Sequence, residues 1–147
     1  MKFKQQEEEQ KSNTFLDSVI DLIVVIEQFA YALVCISNRE QSNSVKEACS
    51  HCEMQLCYHQ TSLKKLAISL NPEHKEPTFT VEYSPVDSVS DLKKFEEKYY
   101  NMLKEIGKNA LEQNNAEVFS YLSPIISGFK HYFCTLDESN DSGETSS

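Results

Sequence analysis

The chain has 147 residues, 39% of them apolar and 25% charged, with only 3 Gly and 4 Pro; this is the length of one domain with a real core, and too few turn formers for an all-β fold. A formal net charge of −9 and a single arginine, Arg39, argue against a phosphate-tracking nucleic-acid surface and against a basic membrane-surface helix. The start, Met1 to Glu7, is polar and acidic where a signal segment needs an apolar run, so a cytoplasmic protein is expected.

Residues 1–12 read as a polar N-terminal tail. The first helix is expected from Asn13 to Asn38, capped by Asn13 or Thr14, with Asp17 in the favourable first turns. Leu16, Ile20, Ile23, Ala30 and Val34 form its apolar stripe, widened by Val19, Ile26 and Leu33. Val19 to Ile36 is the most apolar stretch, but Asp21, Glu27 and Gln28 within it favour a bundle helix over a membrane span. A polar turn, Arg39 to Asn43, leads to the second helix, Ser44 to Leu70. There Val45, Cys49, Cys52, Leu56, His59, Leu63, Leu66 and Leu70 follow an unbroken alternation of four- and three-residue steps, the strongest periodic signal in the chain.

Pro72, Pro77 and Pro85 forbid a helix between Asn71 and Ser88. Thr78 to Tyr83 alternates as a strand would, but has no second strand to pair with, so the stretch reads as an extended connector. At roughly 3.3 Å per residue it reaches about 60 Å, more than the roughly 40 Å of a bundle helix at 1.5 Å per residue. The third helix is expected from Val89 to Gln113, capped by Ser88 or Ser90, with Leu92, Phe95, Tyr99, Met102, Ile106 and Ala110 inward. After Asn114-Asn115 the fourth runs to Leu136 on Phe119, Leu122, Ile126, Phe129, Phe133 and Leu136, kinked or restarted at Pro124. The tail from Asp137 to Ser147, with four acids and no base, reads as disordered.

Short turn, long connector, short turn is the order of two antiparallel hairpins joined by one crossover. The expectation is an all-α antiparallel four-helix bundle over residues 13–136 with a long crossover between helices two and three. Two phrases carry a family likeness: Val45-Lys46-Glu47-Ala48 followed by His59-Gln60-Thr61-Ser62-Leu63-Lys64-Lys65-Leu66-Ala67, ahead of a Pro-containing connector, and Leu122-Ser123-Pro124 ahead of His131. In these the chain resembles the ferritin-like superfamily, and within it an uncharacterised bacterial branch of small ferritin-like domains.

The resemblance implies a di-iron site with one Glu from each of two helices and a Glu-x-x-His from each of the others. Carried over by position, Glu27 and Glu96 supply the two carboxylates and His59 and His131 the two imidazoles. The Glu of each Glu-x-x-His is missing, since Leu56 and Gly128 stand in those places, and without them a hard, oxygen-rich iron pair lacks its ligands.

Other residues favour plain readings. Cys49-x-x-Cys52 has no second pair at zinc spacing and reads as buried thiols; with no secretory context, all five cysteines are expected to be reduced. His59 reads as a core histidine with Glu27 as its partner, and Glu96-Glu97 as a solvated face among Lys93, Lys94 and Lys98. No nucleophile triad, phosphate loop or dinucleotide fingerprint appears. The reading that follows is a non-catalytic ferritin-like bundle without a cofactor, acting through self-association or a protein partner. The alternative is a metal-binding or metal-dependent redox protein holding iron, manganese or zinc on Glu27, His59, Glu96 and His131.

Overall fold

The computed structural model describes residues 2–39 and 42–133, with side chains from Phe15 onward. Four helices account for it: α1 (Lys2–Arg39), α2 (Asn43–Leu70), α3 (Val89–Glu112) and α4 (Ala116–Ser127). Among the described residues there is no strand, and residues 71–88 are an extended connector.

α1 begins at Lys2 and not at the expected Asn13. Lys, Gln and Glu dominate that stretch, and they are good helix formers. The anticipated cap at Asn13 or Thr14 is therefore interior to the helix. The far tail, from 134 onward, lies outside the described residues.

The inward face of α1 only partly follows the expected stripe. Val19, Ile23, Ile26 and Leu33 are buried as expected, joined by Phe15, Leu22, Phe29 and Ile36, whereas Val34 is exposed and Leu16, Ile20 and Ala30 are only partly covered. Both registers step by four and three, but the buried one is apolar throughout and the rejected one contains Glu27. Phe15 to Arg39 is long and apolar enough to cross a membrane, and half of its most apolar 18-residue window is buried in the fold.

In α2 every residue of the expected stripe, Val45 to Leu70, is buried. In α3 the buried set is Leu92, Glu96, Tyr99, Leu103, Ile106, Gly107 and Ala110; Phe95 and Met102 move to the flank. Ser88 caps this helix, accepting from the Asp91 amide at 3.3 Å while its own hydroxyl donates to the Asp91 carboxylate at 3.1 Å. Asn114, at φ 55°, turns the chain out of α3 in the left-handed conformation that asparagine tolerates. Asn115 then caps α4 through the Val118 amide.

α4 ends at Ser127, well short of the expected Leu136. Pro124 is accommodated inside it, and the break comes at Gly128, whose amide closes on the Pro124 carbonyl. The covered residues are Val118, Leu122 and Ile125; Phe119 and Ile126 lie at the edge. Phe133, beyond the helix, is fully buried.

The helices pack in a ring: α1 against α2 and α3, and α4 against α3 and α2. The connector touches this ring at a series of points. Glu76 lies 3.8 Å from Lys64, the Glu82 carbonyl accepts from Gln28 at 3.1 Å, Tyr83 packs on Tyr31, and Asp87 pairs with Arg39 at 2.6 Å. Val86 is buried, tacking the connector to the core. Ser69, near the end of α2, bonds Glu117 at the start of α4 at 2.7 Å.

Burial and exposure should separate sharply in unfolding experiments. Leu66→Ala, in a fully buried site, should cost about 2–5 kcal/mol by denaturant titration. Asp87→Asn removes an ion pair whose side chains are 55% and 79% exposed and should leave the unfolding midpoint nearly unchanged.

Candidate functional site

Among the described residues, two polar side chains are buried in the core, His59 and Glu96. Each occupies a position where the four-three step of its helix calls for an apolar side chain, so each enters the interior because the rest of its helix does.

His59 Nδ1 lies 2.9 Å from the Tyr99 hydroxyl, a hydrogen bond that ties α2 to α3 across the middle of the bundle. Phe129 stacks over the imidazole with ring centres 6.1 Å apart, and over Tyr99 at 5.8 Å. Burial holds His59 down to about 4, so the ring is neutral at pH 7. Burial pushes Tyr99 up, and the nearby Cys52 adds to that. The bond therefore joins two neutral groups.

The expected partner, Glu27, is elsewhere. It is half-buried and accepts a hydrogen bond from Gln60, the residue after His59. This follows from the register of α1: with Phe15, Leu22 and Phe29 pointing inward, Glu27 falls on the flank that faces α2.

Glu96 corrects the other expectation. It is not on a solvated face but has no exposed surface at all. Its Oε2 accepts from the Tyr132 amide at 2.9 Å and its Oε1 from the Phe133 amide at 3.4 Å. His131 Nδ1 stands 3.6 Å from Oε1. Two backbone N–H groups converging on one carboxylate form an anion-holding arrangement like a helix N-terminus. Here the anion is the protein's own.

Of the four residues expected to bind metal, the fold brings together Glu96 and His131. Glu27 is engaged with Gln60 and His59 with Tyr99. Among the described residues, no group of three or more His, Cys, Asp or Glu side chains is placed to hold a metal ion. Missing carboxylates at Leu56 and Gly128 account for this, as does the flank position of Glu27.

The thiols are reduced at Cys35, Cys49, Cys52 and Cys57; Cys134 lies outside the described residues. Burial raises Cys52 strongly, and the charge of Glu96 raises it further. It is a packing residue and a poor nucleophile at neutral pH.

Sequence reasoning missed a surface feature. A groove of about 740 Å³ runs between α3 and α4, with Gly107, Leu111, Phe119 and Ile126 along it and Lys104, Glu105 and Lys108 on its rim. Leu111 is 61% exposed and Phe119 36%. Gly107 is the visible signal: a Cβ there would come within 2.9 Å of Ile126 Cδ1, so its absence lets α4 approach α3. No family model, curated protein or solved structure matches the chain.

Two measurements test this site. The unfolded chain protonates His59 near 6.5, while the folded chain does so only near 4. Stability from this residue is thus present above about pH 6.5, falls as the pH drops toward 4, and falls no further below that. The loss should approach roughly 3 kcal/mol. His59→Leu should be destabilising at pH 7, by about 1–3 kcal/mol for the stranded Tyr99 hydroxyl, and the gap to wild type should narrow in urea titrations at pH 4.5. In native protein, a thiol reagent should modify exposed Cys57 promptly and reach buried Cys49 and Cys52 only on unfolding.

Proposed function

We propose that this chain is a non-catalytic four-helix bundle of ferritin-like, antiparallel topology that acts by self-association or by binding a protein partner. The topology is supported by the points at which the connector touches the bundle. Glu76 meets Lys64 in the last turns of α2, Glu82 and Tyr83 meet Gln28 and Tyr31 of α1, and Asp87 meets its last residue, Arg39. This succession fits a crossover travelling the length of the bundle. The Ser69–Glu117 bond fits α4 starting where α2 ends, hence running against it.

The mode of action rests on one observation, the apolar groove between α3 and α4. Leu111 and Phe119 are uncovered there beside charges of both signs, Lys104, Lys108 and Glu105. Exposed apolar surface with a charged rim is the make-up of a protein-binding site, and a mixed rim can complement a second copy of itself. The polar core residues are meanwhile committed to internal bonds, His59 to Tyr99 and Glu96 to the amides of Tyr132 and Phe133. Reduced thiols at Cys35, Cys49, Cys52 and Cys57 agree with a cytoplasmic setting.

Sedimentation equilibrium of wild type across a wide concentration series should show reversible association. Leu111→Glu and Phe119→Glu should each weaken it without lowering helicity. Wild type that stays monomeric throughout would remove self-association and leave the partner-binding form. Association unchanged by both variants would remove the groove.

A further inference from the structure

α4 is the short member of the bundle. It has 12 residues against 28 in α2 and 24 in α3, so it covers the ring over only part of its length. Beyond Ser127 the fourth side is closed by the non-helical segment from Gly128 to Tyr132 and by Phe133. Its two phenylalanines plug the interior. Phe129 lies over His59, Tyr99 and Tyr100, and Phe133 packs on Phe29 with ring centres 6.3 Å apart. Tyr132 stacks on His51 of α2 at 6.1 Å.

The Glu96 side chain bonds the backbone of this segment. Both carboxylate oxygens of Glu96 are used on the amides of Tyr132 and Phe133. A buried carboxylate repays its desolvation only while such donors face it, and the donors are satisfied only while it is there. The two sides of the bond therefore hold or fail together.

We propose that Gly128–Phe133 is a detachable strap, locked by the Glu96 carboxylate and released when that carboxylate takes up a proton, which uncovers the apolar interior between α2 and α3. The proton removes the negative charge that both amides point at. It also removes the anionic partner of His131.

The surrounding groups set the sense of the response. From the strap, His131 Nδ1 stands 3.6 Å from Glu96 Oε1, so neutralising the carboxylate also removes this contact's anionic side. Tyr132, also of the strap, and Cys52 of α2 are both raised by burial and by the Glu96 charge; they stay neutral throughout the acid range. On α3, Tyr99 stays neutral as well. From α2, His59 lies beneath Phe129, and a charge on it disfavours the apolar cover, so it acts in the same direction as protonation of Glu96. α1 contributes Phe29, against Phe95 and Phe133.

The test is amide hydrogen exchange on the full chain, read as protection relative to intrinsic rates, together with circular dichroism across an acid titration. In wild type, the amides of Tyr132 and Phe133 should lose about tenfold or more of their protection at a pH where those of Leu63 and Leu103 keep theirs and helicity is intact. Glu96→Gln should show the same loss at neutral pH. The chain has no tryptophan, so Phe129→Trp adds a single reporter, whose emission should shift to the red at the pH of strap release, ahead of the fall in helicity. Strap and core amides losing protection together, in wild type, would overturn the proposal. So would a folded Glu96→Gln protein with wild-type protection at Tyr132 and Phe133. If Glu96→Gln does not fold, the wild-type titration decides alone.

Discussion

A single carboxylate without exposed surface determines how the open side of this bundle is closed. Glu96 stands where the α3 pattern asks for an apolar residue, and it satisfies two backbone amides that no helix would otherwise serve. Because α4 stops before Gly128, residues 128–132 have no helical hydrogen-bond ladder to bring them back to the core. The two amide bonds to Glu96 do so, and they set Phe129 and Phe133 over Tyr99, His59 and Phe29. The depth of that aromatic layer then leaves His59 buried, which is why its imidazole is neutral.

The same economy appears at the other polar positions. His59 and Tyr99 satisfy one another across the diagonal of the ring, and Glu27 is satisfied by Gln60. Each pairing joins two different elements, so the polar groups add orientation to a core whose apolar side chains alone would tolerate small slips. The connector contributes in a different way. Its exposed contacts, Arg39–Asp87 and Lys64–Glu76, are weak individually, and the buried Val86 beneath them adds the apolar part of its attachment. The uncovered groove between α3 and α4 exists because Gly107 lets those two helices approach closely while Phe119 and Leu111 fall outside the line of contact.

Much of the fold was legible locally. α2 was read residue by residue, because its apolar register has no competitor in the sequence. The connector was legible because three prolines and an unpartnered strand-like run leave no other conformation. The cap at Ser88 and the turn at Asn114-Asn115 follow from side chains that bond their own backbone. α1 and α3 were read in part: Val19, Ile23, Ile26 and Leu33, and Leu92, Tyr99, Ile106 and Ala110, are buried as expected, but each helix has two overlapping apolar registers, and local periodicity cannot choose between them at the remaining positions. In α1 the choice could have been made, since only the register through Phe15 and Phe29 is free of a charge. In α3 the correct register is the one that contains Glu96, and a rule that keeps carboxylates outside rejects it.

The amino-acid sequence by itself determined the helical class, the four helices of the described residues and the extended connector, because these depend on spacing, proline chemistry and capping within a few residues. It also determined that Leu56 and Gly128 stand where a di-iron pattern needs carboxylates. The tertiary structure alone decided that Glu96 is buried and Glu27 is not, that His59 bonds Tyr99, and that α4 yields to a strap at Gly128. Those outcomes turn on which groups from distant parts of the chain meet. A buried carboxylate is stable only beside donors, and its donors here are backbone amides more than thirty residues away, which no local pattern of side chains encodes.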